Sequence, residues 1–518
     1  MQKIQKLTNW LGKEKLVLNF ISILLMVQPL LDVLSYFLLK TGDTTLTTIL
    51  RTIMFAGIVL YTFLISENKK VYYIFYGIAG VYWILHMVNC FRIGYQSPMS
   101  DCANFLRAVQ MPALTISFIT LFKKSSRMSK RIQIGFLINI VIILAVIALS
   151  YLTGMPEYTY GNYLKVGVLG WFGIANAQSV IVMLLVPLAL YFVYTIRSKL
   201  FFLIASIACF GLLFFTGTRL TFYSIFIVAA AFIFLMGVNC EKRWSHYAIL
   251  FVVLVSGIAF AKDSPMYQRN QMQMYSFDNY QENISDSNST KQQLGSTTKE
   301  ETFFKAETEN LSEVKNDLTN EVTTMSENAK DLNYYESVYR SLANGFLSNM
   351  IDRFGIERVA EAYDYSMDTA VLLNNRTKKL VYAKLSWEQQ DFLTKCLGYE
   401  YATLLTDSAA DNYSPENDFH SLFYFFGYAG IGMYFAYIAY FIIIILKQMR
   451  ENLRQVFTME CGIICSTFAL LLGAAYFTGY VFLRPNVSIY LSIILAYIYY
   501  LFKHHSDTEK LVSSIQGD

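Results

Sequence analysis

The stretch SPENDFHSLFYFFGYAGIG, residues 414–432, decides how the chain is read. A polar segment closes there, and an apolar run able to enter a bilayer begins. Glu416, Asn417, Asp418 and His420 are gathered where water ends and lipid starts. Carboxylates and an imidazole are costly at such a boundary, and a purely structural loop gains little from concentrating them. The junction is therefore read as part of a reaction site at a membrane surface.

Outward from it, the composition agrees. The chain has 518 residues, of which 55% are hydrophobic, 16% aromatic and 15% charged. Soluble domains carry roughly 25% charge, so this reads as a membrane protein. The net charge of +4 is small and no nucleic-acid partner is expected. The cysteines fall mostly in apolar runs (Cys90, Cys209, Cys461, Cys465) without metal-like spacing, so no disulfide or zinc framework is implied. The basic start, Lys3, Lys6, Lys13 and Lys15, runs into a full-length span and reads as a retained anchor.

A span needs about 20 apolar residues. Candidates lie near 16–39, 46–66, 71–91, 103–122, 132–152, 172–195, 200–217, 219–238, 245–261, 421–446, 460–482 and 486–502. The expected fold is all-α and polytopic, with about twelve transmembrane helices. Basic residues collect on one side: the N-terminal lysines, Lys69/Lys70, Lys123/Lys124, Arg127, Lys130, Arg131, Arg197, Lys199, Lys242, Arg243, Lys447, Arg450, Arg454 and Lys503. The short loops opposite hold only Lys40, Arg92, Lys165, Arg219 and Arg484. Both termini are thus expected in the cytoplasm.

That topology makes residues 1–261 helices one to nine, 262–420 a large extracytoplasmic loop, 421–502 helices ten to twelve, and 503–518 a cytoplasmic tail. Residues 281–330 are polar and expected to be flexible. Residues 335–405 form a helical cap, with Val338, Leu342, Leu347, Ile351, Phe354 and Val359 on one amphipathic helix. Leu385, Trp387, Phe392 and Cys396 mark a second.

Arg51 and Arg107 sit in the outer thirds of their spans, Arg219 in the tight TGTR connection, and Arg484 just after span eleven. Guanidinium groups suit bidentate recognition of phosphate oxygens, so an external pocket for a lipid-linked pyrophosphate is one reading. The competing one is snorkelling to the interface, or pairing of Arg51 with Asp32. At the junction His420 can accept a proton from an acceptor hydroxyl. Asp418 can do the same, or orient the histidine; Asn417 or Asp418 can equally be a helix N-cap. Glu416 and Asp418 also form an E-x-D pair with oxygen ligands, but no further metal ligands cluster there, and no metal is expected. His86 reads as a satisfied intramembrane polar residue.

There is no GxxxxGK loop, no GxGxxG after a strand and no HExxH. A transferase facing outward must take its energy from the donor it is handed. Several stretches together resemble the O-antigen ligase and O-antigen polymerase superfamily, in its branch of bacterial surface-polysaccharide polymerases. They are QPLLDVLSYF (28–37), FGIANAQSVIVMLLVPLAL (172–190), LLFFTGTRLTFYSIF (212–226), NNRTKKL to LGYE (374–400), ENDFHSLFYFFGYAGIG (416–432) and TGYVFLRPNVSIYLSIILAYI (478–498). The third resembles the family's arginine motif at Arg219, and the fourth its external S-G-R element at Arg376.

The resemblance implies a GT-C-like, metal-independent, inverting transferase without cofactor. Its donor would be an undecaprenyl-diphosphate-linked glycan, its acceptor a glycan or lipid-linked glycan, and its setting the outer face of a bacterial plasma membrane. Other polysaccharide-assembly proteins would be further partners. Arginines would hold the diphosphate (Arg219, with Arg107, Arg376, Arg484 and Arg51) and an external histidine would be the base. The histidine here falls later than the family's H-N pattern, and Tyr480 replaces a frequent histidine, so Asp418 competes with His420 for the base. A flippase for the same lipid-linked sugar is the alternative. It would show repeats and broken midplane helices, which the sequence does not display.

Overall fold

The computed structural model describes residues 8–42, 45–161, 165–272, 332–341, 346–372, 374–400 and 415–504. The expected flexible stretch 281–330, Lys3, Lys6 and nearly all of the tail lie outside these residues. The described residues are helical, without strands beyond one isolated bridge between Tyr160 and Val166.

The first nine helices are α1 (Glu14–Lys40), α2 (Thr45–Ile65), α3 (Lys69–Ile93), α4 (Pro98–Phe122), α5 (Met128–Leu152), α6 (Ala175–Thr195), α7 (Lys199–Thr216), α8 (Arg219–Val238) and α9 (Trp244–Ala259). A cap follows: α10 (Leu332–Ser341), α11 (Phe346–Phe354), α12 (Ile356–Ala362), α13 (Asn375–Glu388) and α14 (Phe392–Leu397). Then come α15 (Asp418–Glu451), α16 (Met459–Phe477) and α17 (Pro485–Tyr499). Among the described residues, 11 helices are long and apolar enough to cross a membrane, and α9 is a shorter apolar helix. All twelve expected spans are therefore present as helices in this polytopic membrane fold.

Two helices are apolar all round and form the centre. α6 is buried without a break from Ala177 to Leu190, and α17 from Val487 to Ile498. α17 packs on α4, and α6 on α5 and α7. Peripheral α2 and α3 instead turn Ile49, Ile53, Leu60, Ile74, Ile78, Val81, Ile84 and Val88 outward. Such a lipid-facing surface is tolerated because each helix satisfies its own backbone.

Near the α4–α5 turn, Lys124 meets Glu67 at 2.6 Å and Glu14 accepts from Ser125 at 2.7 Å. At the cap end, Lys40 closing α1 pairs with Glu157 at 2.9 Å.

The first cap helix expected from sequence is instead three short ones. Gly355, at φ 86°, separates α11 from α12, a conformation a continuous helix cannot contain. The second is also divided, because Asp391 accepts from Thr394 N–H at 2.8 Å and starts α14 anew. Tyr339, Leu347, Met350, Val359, Ala360 and Ala383 are fully buried and give the cap its own core.

The cap docks at a break in α15. Gly427 has φ 62° and ψ −170°, and a Cβ there would lie 2.6 Å from the Cys396 carbonyl oxygen. Only glycine allows both the kink and this approach. Tyr82 donates to the carbonyls of Leu397 (3.0 Å) and Phe426 (2.7 Å), bridging cap and kink. Glu400 accepts from the N–H groups of Gln96 (2.6 Å) and Ser97 (2.7 Å), tying the cap to the α3–α4 turn.

Candidate active site

The 416–420 junction forms the first turn of α15, three residues earlier than the hydrophobic run suggests. Asn417 is the N-cap: its Oδ1 accepts from the N–H groups of Phe419 (2.9 Å) and His420 (3.3 Å). Its amide donates to the Tyr476 carbonyl, so it also holds the end of α16.

Asp418 does something else. Its Oδ2 accepts from the backbone N–H groups of Val481 (2.6 Å) and Phe482 (3.0 Å), and the residue is only 3% exposed. These donors belong to a turn over 478–484, where span eleven was expected to continue. The helix stops at Phe477 because Gly479 and Tyr480 both take positive φ (68° and 64°). A Cβ on Gly479 would sit 1.8 Å from the Glu416 carbonyl oxygen, so this turn presses directly on the junction. Asp418 is thereby a fastener between two segments.

Glu416 accepts from Arg376 Nε at 2.9 Å and pairs with Lys379 at 3.1 Å. Burial pushes its carboxyl up, but Lys379 and Arg376 together hold it below the usual carboxylate range. Glu416 and Asp418 thus engage separate partners and do not converge as a ligand pair. His420 is half-buried, and among the described residues its buried Nδ1 has no hydrogen-bond partner. A ring nitrogen without a partner is one that can take up a proton.

The arginines fall into two groups. Arg219 opens α8 behind the Thr218 N-cap and donates to Asn270 Oδ1 at 3.0 Å. Arg376 opens α13 behind the Asn374 N-cap. Both charges act on Tyr160, whose ring also carries the guanidinium of Arg269 at 4.8 Å. Burial raises the Tyr160 hydroxyl above its ordinary range, while Arg269, Arg219 and Arg376 pull it down. Arg269 was missed in the sequence. It lies in the helical stretch 265–272, which reads as the unremarkable start of a long loop, and only tertiary packing brings it to Tyr160.

Arg51, Arg107 and Arg484 form the second group, lining a cavity of about 340 Å³ with Asp32, Gln110, Gln178 and Asn486. Arg51 does pair with Asp32, at 2.7 Å. Arg484 lies over the Tyr480 ring at 4.6 Å. The junction connects the groups: Glu416 holds Arg376, and Asp418 holds the turn that leads to Arg484.

His86, expected to be merely satisfied, is central to cap docking. Its Nδ1 lies 2.7 Å from the Leu397 carbonyl oxygen and so donates, and its Nε2 lies 3.1 Å from Asp101 Oδ2. With Cys90 these residues place three ligand-type atoms within 4.8 Å of one another, a set that could hold a metal ion. The Cys spacing gave no such signal, since Asp101 comes from the next helix.

Glu416 and Asp418 thus tie the cap residue Arg376 and the turn before α17 to the segment that carries His420. A comparison with curated proteins found no match. A family model described as O-antigen ligase like membrane protein matches residues 13–504, nearly the whole chain. The chain therefore belongs to that family of multi-pass membrane proteins, whose role is glycosyl transfer in polysaccharide assembly.

Proposed function

We propose that this protein is a glycosyltransferase that polymerises, or ligates to an acceptor, an undecaprenyl-diphosphate-linked oligosaccharide. It does so at the outer face of a bacterial plasma membrane, with both termini cytoplasmic. The observation that carries this reading is Arg376 bound to Glu416 in the junction that presents His420, beside a Tyr160 ring that holds the Arg269 guanidinium at 4.8 Å and feels the positive charges of Arg219 and Arg376.

The donor diphosphate lies against these three guanidinium groups. The acceptor hydroxyl oxygen attacks the anomeric carbon, and the bond from that carbon to the diphosphate oxygen breaks with inversion. The hydroxyl proton passes to His420. The electron pair leaves on the diphosphate, where fixed positive charge lowers the barrier most, because negative charge builds there in the transition state. Glu416 positions Arg376, and Asp418 positions the turn beside His420. The cap shields the site from water, which would compete as nucleophile. The chemistry needs no metal.

Purified protein incubated with a lipid-diphosphate oligosaccharide tests this. Longer glycan or glycosylated acceptor, with release of prenyl diphosphate, is expected. Movement of the lipid across a bilayer without bond change would favour a flippase instead.

A further inference from the structure

We propose that His86, Cys90 and Asp101 form a structural zinc site that ties α3 to α4 where the cap docks. His86 and Cys90 stand one turn apart on α3, and Asp101 meets His86 from the first turn of α4. One ligand-type atom from each lies within 4.8 Å of the other two. His86 and Cys90 are 0% exposed and Asp101 is 1% exposed, so water does not satisfy them. None of the three takes part in the proposed transfer.

The hydrogen bonds leave a lone pair aimed at a carboxylate. His86 Nδ1 lies 2.7 Å from the Leu397 carbonyl oxygen, which has no hydrogen to give, so the ring proton is on Nδ1. In the neutral imidazole Nε2 is then an acceptor. It faces Asp101 Oδ2 at 3.1 Å and Cys90 Sγ at 3.4 Å. Oδ2 already accepts from the Tyr95 hydroxyl at 2.6 Å. Two acceptors so close need a cation between them, either a further proton or a metal ion. A proton, on Nε2 or on the thiol, serves only one of these contacts. Asp101 Oδ1, which is buried and has no hydrogen-bond partner among the described residues, would stay stranded.

A thiolate, an imidazole and a carboxylate suit zinc, which takes sulfur, nitrogen and oxygen ligands in tetrahedral geometry. Bonds of about 2.0–2.3 Å set its neighbouring ligand atoms about 3.3–3.6 Å apart. Both contacts at Nε2 are already close to that, and Sγ and the carboxylate meet after a side-chain shift of about 1 Å. Asp101 Oδ1 completes the set as the second oxygen of a bidentate carboxylate, or turns to a zinc-bound water. Binding displaces the Cys90 thiol proton to solvent, and thiolate and carboxylate then cancel the charge of the divalent ion. Two further charges lie nearby. The Glu400 carboxylate acts on Cys90 but accepts from the N–H groups of Gln96 (2.6 Å) and Ser97 (2.7 Å), and Arg92 is paired with Asp391. A zinc-bound histidine is commonly fixed by an outer N–H···O=C bond. Here that bond is also a cap contact, because the Leu397 carbonyl accepts from Tyr82 as well. The ion thus holds His86 in the orientation that seats the cap.

Tag-free full chain in detergent, stripped with a chelator and titrated with Co2+ as a spectroscopic stand-in for zinc, reads the site directly. One ion per chain is expected, with the near-ultraviolet band of a thiolate-to-cobalt bond and the visible bands of a tetrahedral site. Cys90→Ser should remove the thiolate band, and Cys240→Ser, which changes the exposed cysteine, should keep it. Asp101→Asn, a near-isosteric second variant, should lose affinity as well. Tyr95→Phe, which removes the hydroxyl on Asp101, should weaken binding by about tenfold. Added zinc should raise the unfolding midpoint of the stripped wild type and leave that of Cys90→Ser unmoved. Similar midpoints of the two stripped proteins are the folding control. A wild type without the thiolate band overturns the inference and leaves a His86 imidazolium paired with Asp101. A band that survives in Cys90→Ser also overturns it, as does one lost in Cys240→Ser, which would put the ion at the surface.

Discussion

The carboxylate of Asp418 holds the backbone N–H of Val481 at 2.6 Å, joining the first turn of α15 to the turn before α17. A second bond to Phe482 N–H completes a clamp between segments far apart in sequence. The clamp fixes His420 relative to Arg484, and its removal is expected to disturb geometry before chemistry.

Asp418→Asn retains an oxygen that can accept from both N–H groups but loses the negative charge, and is expected to lower kcat by about tenfold. Asp418→Ala strands both buried donors and should cost about a hundredfold. A base would behave differently, with asparagine and alanine equally inactive. Initial rates of glycan elongation for the two variants decide between these roles.

Glu416 gives a pH dependence of known sign. Its carboxyl is depressed in the folded protein, so its contribution is complete above the ordinary value of 4.5 and is lost as pH falls through the folded value. Protease resistance of the cap in detergent should stay level from about pH 8 to about pH 5 and decline below that. Glu416→Gln should lower resistance at neutral pH and flatten the acid decline. A decline beginning near neutrality would mean that another group controls docking.

Gly427→Ala tests how the cap is seated. The residue would have to hold φ 62° with its Cβ against the Cys396 carbonyl, for about 1–3 kcal/mol of strain plus the clash. A lower unfolding midpoint and faster proteolysis between α14 and α15 are expected. An unchanged midpoint would show that the cap does not depend on this kink.

The spans and the helical class were legible in the sequence because lipid imposes a length and a polarity that residues report locally. The relationships within the site were not. Nothing near Asp418 announces that its partners are Val481 and Phe482, or that Gly479 and Tyr480 stop α16 early. The lining of the cavity at Arg51, Arg107 and Arg484 was hidden for the same reason. Arg51, Arg107 and Arg219 all read as outer-leaflet residues, yet which of them share a wall depends on the packing of α1, α2, α4 and α17. His86 is satisfied, as its sequence position suggested, but its partners, Asp101 and the Leu397 carbonyl, come from the next helix and from the cap and were not legible.

Arg269 is the residue that packing against Tyr160 adds to the proposed donor site. Arg269→Ala should raise KM for the lipid-linked donor by about tenfold, since the guanidinium held over the Tyr160 ring is lost. Arg269→Lys should recover only part of it, because an ammonium lacks the planar fork. Full recovery with lysine would mean that charge alone is used.

Arg219→Ala is the most direct test of the account. Purified variant and wild type would be compared with the same lipid-diphosphate oligosaccharide, after confirming equal membrane insertion. Loss of elongated glycan and of released prenyl diphosphate in the variant is the result predicted. Turnover close to that of the wild type would contradict it.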